Sequence, residues 1–459
     1  MAEWLPEDHL AWFVLDAVAE LDLTQFVTAY RPDGRGGAAY DPTMMVALLV
    51  YAYCVGERSS RSIQRRCVED IAFRVLAANH APDHATIARF RVTHQEALAG
   101  LFAQLLGLCE RAGMVRPGLI AIDGTKMAAN ASRDANRSAE QLAKEILEEA
   151  AAADAAEDEL HGDASGSELP EGMAPKGRRA KLRVLLDELE AEAAEKSYEA
   201  HLERRAAQEA ATGRPVRGRR PKPDSATHRS RQHANTTDPD SRLLKAKAGY
   251  VQGYNAQAAA TRDQVIVAAS VSNGAHDAPE FTPVLDETKA NLRRAGSKRR
   301  VRTVIADAGY WSNDNISTRG VEAIIAPGKA GKLGEIAATE RARSEVLDQV
   351  ERGEITKPDA AEHLGVTRTR LNQLLRNRRR GSPETLTTAM ADKLSTPRGR
   401  RLYRQRAASI EPVFAQTKHN RRFRSFSRRG LAAADSEWKL IAATHNLLKL
   451  WRQPAPAVA

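Results

Sequence analysis

The sequence predicts an α/β protein: a mixed sheet flanked by helices, with an all-helical amino-terminal domain and helical insertions. Two apolar, β-branched runs, GLIAID ending at Asp123 and VRTVIAD ending at Asp307, read as buried strands. Between them, YVQGYNAQAAA and QVIVAASVS flank the turn residues TRDQ and read as a β-hairpin. The first 115 residues show helical periodicity instead.

The chain has 459 residues, room for two or three domains and a substantial core. Its 69 Lys plus Arg against 59 Asp plus Glu give a net charge of +10, which favours a polyanionic partner. Cys54, Cys67 and Cys109 lie in apolar helical contexts without CxxC spacing and read as buried thiols of a reducing compartment. The opening MAEWLPEDHLAWFVLDAVAELDL lacks a basic leader and is interrupted by Pro6, Glu7 and Asp8. It predicts neither signal peptide nor membrane span, and hence a cytoplasmic, nucleoid-associated protein.

Residues 1–115 form the helical amino-terminal domain. In DPTMMVALLVYAYCVG, Asp41 is the cap and Pro42 the first helical residue. An amphipathic segment, SSRSIQRRCVEDIAFRVLA, follows, and then PDHATIARFRVTHQEALAGLFAQLLGLCERAG. In the latter, Ile87 and Phe90 face the core while Arg89 and Arg91 point away. Two readings fit this domain equally: a helix presented to a DNA groove, with Arg89 in contact, or a bundle that packs on the next domain or pairs subunits. Zinc ligation by His80, His84, His94 and Cys67 lacks the dense spacing that such sites show.

Residues 116–135 carry the first strand and Asp123, followed by Gly124 and Thr125. Residues 136–240 read as an insertion: an acidic, alanine-rich helix, a Gly/Ser/Pro-rich break from His161 to Gly177, and a second polar helix, together a projecting hairpin. A basic linker follows, with Arg214, Arg217, Arg219 and Arg220 as phosphate-gripping candidates. Residues 241–327 hold the hairpin, the helix PEFTPVLDETKANLRRA, the Asp307 strand and a further strand, VEAIIAP. His276 and Asp277 sit just after the hairpin, where a loop cap is the simplest role, with Asp277 as a substitute for Asp307.

Residues 328–396 form a second insertion. In TKPDAAEHLGVTRTRLNQLLRNRRRG, Ala361, Leu364, Val366, Leu371 and Leu374 fit two short helices around a turn at Gly365. This pattern resembles a helix-turn-helix with Thr367, Arg368, Arg370 and Gln373 on the reading helix and Arg376 to Arg380 behind it; a plain helical hairpin fits as well.

Residues 397–459 open on a stretch crowded with arginines. In PRGRRLYRQRAASIEPVFAQTKHNRRFRSFSRR, Glu411 is the only acid among ten arginines and Lys418. Glu411 and Lys418 are seven apart and share a helical face. A lone carboxylate in a phosphate-attracting field suits a metal ligand acting on nucleic acid, and Asp123 and Asp307, each closing an apolar run, are its natural companions. The last helix, GLAAADSEWKLIAATHNLLKLW, packs through Trp438, Ile441, Leu447 and Leu450, with His445 and Asn446 structural.

These pieces resemble the DDE transposases of bacterial insertion sequences: AIDGTKMAANAS, GYVQGYNAQAAATRDQVIVAASVSNGAHD, VIADAGYWS and LYRQRAASIEPVFAQTKHN. The resemblance implies a ribonuclease H-like catalytic domain, with Asp123, Asp307 and Glu411 as catalytic, metal-binding triad. It also implies that Tyr403, Arg406, Glu411 and Lys418 form the tyrosine-arginine-glutamate-lysine signature. The spacing from Arg406 to Glu411 is one residue longer than in the commonest version, so Arg404 is a second candidate for the arginine. Lys418, Arg421, Arg422 and the other arginines would orient DNA. The implied cofactor is Mg²⁺ or Mn²⁺, two ions, and the implied partners are terminal inverted repeats and target DNA, bound by a homodimer or higher assembly. Cleavage and strand transfer of the chain's own element is the resulting reading. A metal-dependent nuclease, a DNA-binding repressor and an inactive derivative are the alternatives.

Overall fold

The computed structural model describes residues 2–28, 30, 39–138, 140–146, 148, 178–212, 233–246, 249–328, 333–379 and 383–453. These divide into two compact units, one of Met1–Met127 with Asn255–Ala459 and one of Ala128–Tyr254. The strands are β1 (Leu119–Ala128), β2 (Asn136–Ser138), β3 (His233–Asn235), β4 (Arg242–Ala246), β5 (Gly249–Thr261), β6 (Ile266–Ser272), β7 (Thr303–Ala306) and β8 (Glu322–Ile325).

The first unit begins with the predicted helices. Asp41 accepts the Thr43 N–H at 2.8 Å and Pro42 opens the helix Pro42–Cys54, buried without a break from Met45 onward. On the helix His84–Thr93, Ile87 and Phe90 are buried and Arg89 is exposed. Arg91 does not follow the expectation that it points outward: it is buried, with its guanidinium 5.6 Å from the centre of the Tyr53 ring. An aromatic face inside the domain accommodates the cation where water would otherwise be needed. All three cysteines are buried, and burial raises their thiol pKa values to about 12, 11 and 12 for Cys54, Cys67 and Cys109.

The sheet of this unit has the order β6-β5-β1-β7-β8. β1, β7 and β8 are parallel, and β5 and β6 form the predicted antiparallel hairpin, its turn marked by Gln264 at φ +62. One face packs on the helix Phe281–Arg294 through Phe281, Val284, Leu285 and Leu292. β1 is longer than the sequence indicates: it runs through Asp123 to Ala128, so that acid sits within a strand and not at its end.

After β8 come the helices Leu333–Glu351, Lys357–His363, Arg368–Arg379 and Pro383–Ser395. The middle pair meets at Gly365, whose φ of +60 supplies the left-handed turn. Ala361, Leu371 and Leu374 are buried with Val346 and Leu347, and Leu364 and Val366 pack on them, giving the insertion a core of its own.

Of the helical hairpin expected in the second unit, the described residues are 140–146 and 148 of the first arm and the helix Arg178–Thr212. Leu142 and Ile146 of its first arm are buried with Leu182, Leu185 and Leu189 of the helix Arg178–Thr212. β2 and β3 pair antiparallel at its base, and β4 pairs with Gly249–Gly253 of β5. The Gly/Ser/Pro-rich break and the basic linker with Arg214, Arg217, Arg219 and Arg220 lie outside the described residues.

The helix Leu431–Trp451 is buried along most of its length. Trp438 Nε1 donates to the Gln257 carbonyl at 2.7 Å, and Asn446 makes a paired contact with the Ile266 backbone, donating to its carbonyl and accepting from its N–H, each at 2.8 Å. His445 lies against the Gln264 carbonyl at 3.0 Å, and burial lowers its pKa to about 3, so it is neutral and structural. No helix among the described residues is long and apolar enough to cross a membrane. Replacing Asn446 with Ala strips both partners from a buried peptide unit of β6. Chemical denaturation should show a loss of about 2–4 kcal/mol, while an unchanged midpoint would mean that the helix does not hold the hairpin in this way.

Candidate active site

The parallel register pairs Leu119 with Thr303, Ile120 with Val304 and Ala121 with Ile305. Continued by two residues, it sets Asp123, inside β1, abreast of Asp307 where β7 ends. Asp307 leaves β7 as the cap of a short helical turn, accepting the Gly309 N–H at 2.9 Å. Asp123 accepts the Gly124 N–H at 2.8 Å.

Glu411 arrives from the helix Pro397–Ala415. Arg406, one and a half turns earlier, joins it to the sheet: Nη1 donates to Asp123 at 2.8 Å and Nη2 to Glu411 at 3.0 Å. Asp123 and Arg406 are each 18% exposed and Glu411 is 56% exposed, so the bridge runs from the protein interior to open solvent. Arg404 is exposed, and Arg406 is the arginine at the acids. Tyr403 is half-buried and packs against the cluster that contains Ile305, Ile324 and Leu394.

Pro412 interrupts this helix by lacking the N–H that would bond the Ala408 carbonyl, and the Gln264 side chain donates to that carbonyl at 3.1 Å. The helix then widens into a π turn, Gln416–Asn420, which the sequence pattern does not reveal. From it, Lys418 Nζ donates to Thr125 Oγ1 at 2.5 Å and to the Lys126 carbonyl at 2.8 Å. Burial lowers the pKa of this lysine.

A fourth acid completes the group. Asp277 Oδ1 accepts from Asn255 at 2.7 Å and from Gln257 and Lys126 at 3.1 Å each. The Tyr310 hydroxyl donates to the Gln257 side-chain oxygen. The packing leaves no room for larger residues: a Cβ on Gly124 would lie 2.5 Å from Gln257 Nε2 and 2.9 Å from Asp277 Oδ1, and one on Gly309 3.0 Å from Asp307 Oδ1. Lys126, Asn255, Gln257 and Tyr310 were not singled out from sequence. The available signal was two buried amides spaced by two in the apolar strand β5, which puts both on one face.

Burial, and after it the Asp307 carboxylate, push the Asp123 pKa up to about 6, against the pull of Arg406. Arg406 is raised in turn, its acidic neighbours outweighing the burial that lowers it. The donor set is all oxygen, which suits Mg²⁺ or Mn²⁺. Among the described residues no three such side chains converge as a ready-made cation site; Arg406 stands between Asp123 and Glu411.

Of the remaining arginines singled out from sequence, Arg89, Arg368, Arg370 and Arg422 are exposed. Arg421 is the exception to the expected solvent-facing array. It is buried, donating to Thr444 Oγ1 and the Ile441 carbonyl at 2.7 Å each, because the turn after the π segment directs it under the last helix.

Asp123 gives a pH signature. Its carboxyl is raised from 3.8 to about 6 by folding, so the neutral form is favoured and its stabilising contribution is full below the unfolded value and lost as pH rises through about 6. In metal-free buffer, the stability of Asp123→Asn relative to wild type should therefore improve by roughly 3 kcal/mol between pH 4 and pH 8. A difference that does not vary with pH would show that the carboxyl is not perturbed.

The sequence was also compared with known families. A family described as Transposase domain (DUF772) matches residues 1–93, and one described as Transposase DDE domain matches residues 367–451, which include Tyr403, Arg406, Glu411 and Lys418. No curated protein and no solved structure matches the chain. A transposase domain matched at the amino end and a transposase DDE domain matched at the carboxyl end are together consistent with a DDE transposase of an insertion sequence.

Proposed function

We propose that the chain cuts DNA at the ends of its own insertion sequence and transfers the strand to a target. The observation that carries this reading is the meeting of Asp123 and Asp307 on adjacent parallel strands with Glu411 tied to Asp123 through one guanidinium. The sheet order supports a ribonuclease H-like domain: in chain order within the first unit it reads third, second, first, fourth, fifth.

Asp123, Asp307 and Glu411 would hold two Mg²⁺ or Mn²⁺ ions, with Asp277 kept from that role by its three donors. Bound there, the ions supply Lewis-acid activation of the attacking oxygen and neutralise charge on the phosphoryl group. The side chains do the positioning. Arg406 fixes Glu411 relative to Asp123, and Lys418 locks the π turn to β1 so that the glutamate helix stays over the strand ends. Water attacks phosphorus in line; the new P–O bond forms as the bond to the 3′ oxygen breaks, and the leaving oxygen takes up a proton. The freed 3′-hydroxyl then attacks a target phosphodiester in the same manner. Arg89, Arg368, Arg370, Arg404 and Arg422 present exposed cations to terminal repeats and target DNA, in a homodimer or larger assembly.

The test is metal-dependent nicking and joining of DNA bearing the gene's own flanking ends. Glu411→Gln should bind those ends with wild-type affinity and lose cleavage by about 10³-fold or more, the scale expected for several kcal/mol of transition-state stabilisation. Cleavage retained in the variant would remove Glu411 from the site. Binding without cleavage in the wild type as well would favour a repressor or an inactive derivative.

A further inference from the structure

The cations nearest the acids are already engaged. Arg406 is divided between two carboxylates, Lys418 is bonded to β1, Lys126 to Asp277 and Arg421 to the last helix. A different group is unengaged, and it lies at the other end of the same strands. The loop SKRRVR leads into β7; its exposed Lys298, Arg300 and Arg302 line one groove with exposed Arg116, and exposed Arg293, followed in its helix by exposed Arg294, lines the adjoining one with Lys298 and Arg300. None of these six side chains makes an ion pair or hydrogen bond among the described residues. Arg299 anchors the loop by donating to the Val115 carbonyl at 2.8 Å. The open groove, of about 930 Å³, is lined by Arg116, Lys298, Arg299, Arg300 and Arg302. Its one acid, Glu322, is taken by Lys393 and Thr303 and held below its ordinary pKa by the lysine.

Some solvated cations elsewhere on this surface are paired. Arg65 meets Glu69, Arg66 meets Asp70 and Arg111 meets Glu20. A groove crowded with unpaired cations is held together against its own repulsion, which an external polyanion relieves. Nor does it serve the acids. Arg116 and Arg302 precede β1 and β7 while Asp307 follows β7, so the length of the strands, about 16 Å from Arg302 to Asp307, lies between the groove and the acids.

We propose that this surface, formed by Arg116, Arg293, Arg294, Lys298, Arg300 and Arg302, is a second DNA-binding site that grips the phosphate backbone of a duplex other than the one being cut. It rests on the reading that the chain works on DNA and adds a place for DNA that the acids do not reach. Loop arginines and lysines on a groove, with no aromatic platform among its lining residues, fit recognition by charge without base readout.

The test uses the full chain with Lys298, Arg300 and Arg302 changed to Gln, and a control with the ion-paired Arg65, Arg66 and Arg111 changed to Gln. Binding of a duplex of arbitrary sequence is followed across a salt series, and metal-dependent nicking of end DNA is measured in parallel. The loop variant should lower the slope of log affinity against log salt by about 2–3, with a wild-type melting curve and wild-type nicking. The control should keep the wild-type slope. Wild-type nicking together with an unchanged slope in the loop variant would overturn the second site and leave the transposase reading standing. A wild-type chain that neither binds nor nicks DNA would overturn both, and equal slope losses in the two variants would reduce the surface to net charge.

Discussion

The structure depends on how it tolerates four carboxylates at one end of a sheet. Asp123, Asp277, Asp307 and Glu411 come from different parts of the chain, and close like charges raise each other's cost of ionisation. Two solutions coexist. Asp277 is satisfied by two neutral amides and Lys126, which fix its position and use one of its oxygens threefold. Asp123 instead shares a guanidinium with Glu411, a single cation serving two acids. Burial and Asp307 still hold Asp123 at about 6, so the arginine compensates only in part. A site left short of positive charge in its resting state is one that gains from binding a cation. The glycines follow from the same crowding, since a side chain at Gly124 would displace the amides that hold Asp277.

Holding Glu411 over this group requires the end of the chain to be rigid, and buried polar contacts provide that. Glu437 accepts the Ser427 N–H at 2.9 Å and its hydroxyl at 2.8 Å, with Tyr53 at 3.4 Å. Arg421 lies under the last helix, and burial lowers its pKa to about 10. Phe423 and Phe426 are buried beside it while Arg422 and Arg424 face solvent. The basic segment is thus sorted residue by residue into structural and solvent-facing members. Arg58 donates to Ser425 from the amino-terminal helices, so the region matched by one transposase domain clamps the loop that belongs to the other.

The strands and most helices were legible because their apolar patterns are long. GLIAID, VRTVIAD and the hairpin needed nothing but periodicity, and Asp41 with Pro42 announced a helix start that the structure contains. The pattern around Gly365 likewise gave two helices in the right places. What escaped is what depends on contacts between distant residues. Strands of three residues, β2 and β3, are too short to show alternation. The π turn arises where Pro412 and Lys418 must both be accommodated against β1 and the hairpin turn. Arg91 and Arg421 look like surface residues in any window, and only the tertiary placement of Tyr53 and Thr444 makes them interior. The three acids of the candidate triad were found through resemblance and strand position, whereas the amides of β5 that organise them carry no charge to draw notice.

The formal excess of +10 says how much positive charge the chain carries and nothing about which charges are available. In the segment around Glu411 the count of arginines overstates the free field, because Arg406 is divided between acids and Arg421 is enclosed. A cation that neutralises a carboxylate cannot at full strength also attract a phosphate, so the arginines that organise the acids and those that collect nucleic acid must be different residues. The chain separates them in space as well. Along β7, one end carries Asp307 and the neutralising network, and the other carries arginines that pair with no acid among the described residues. Over that length solvent ions largely screen the exposed cations from the acids. Asp123 can therefore stay raised, and the acids receptive to a cation, while the opposite edge remains strongly positive, a combination that one shared cluster could not sustain.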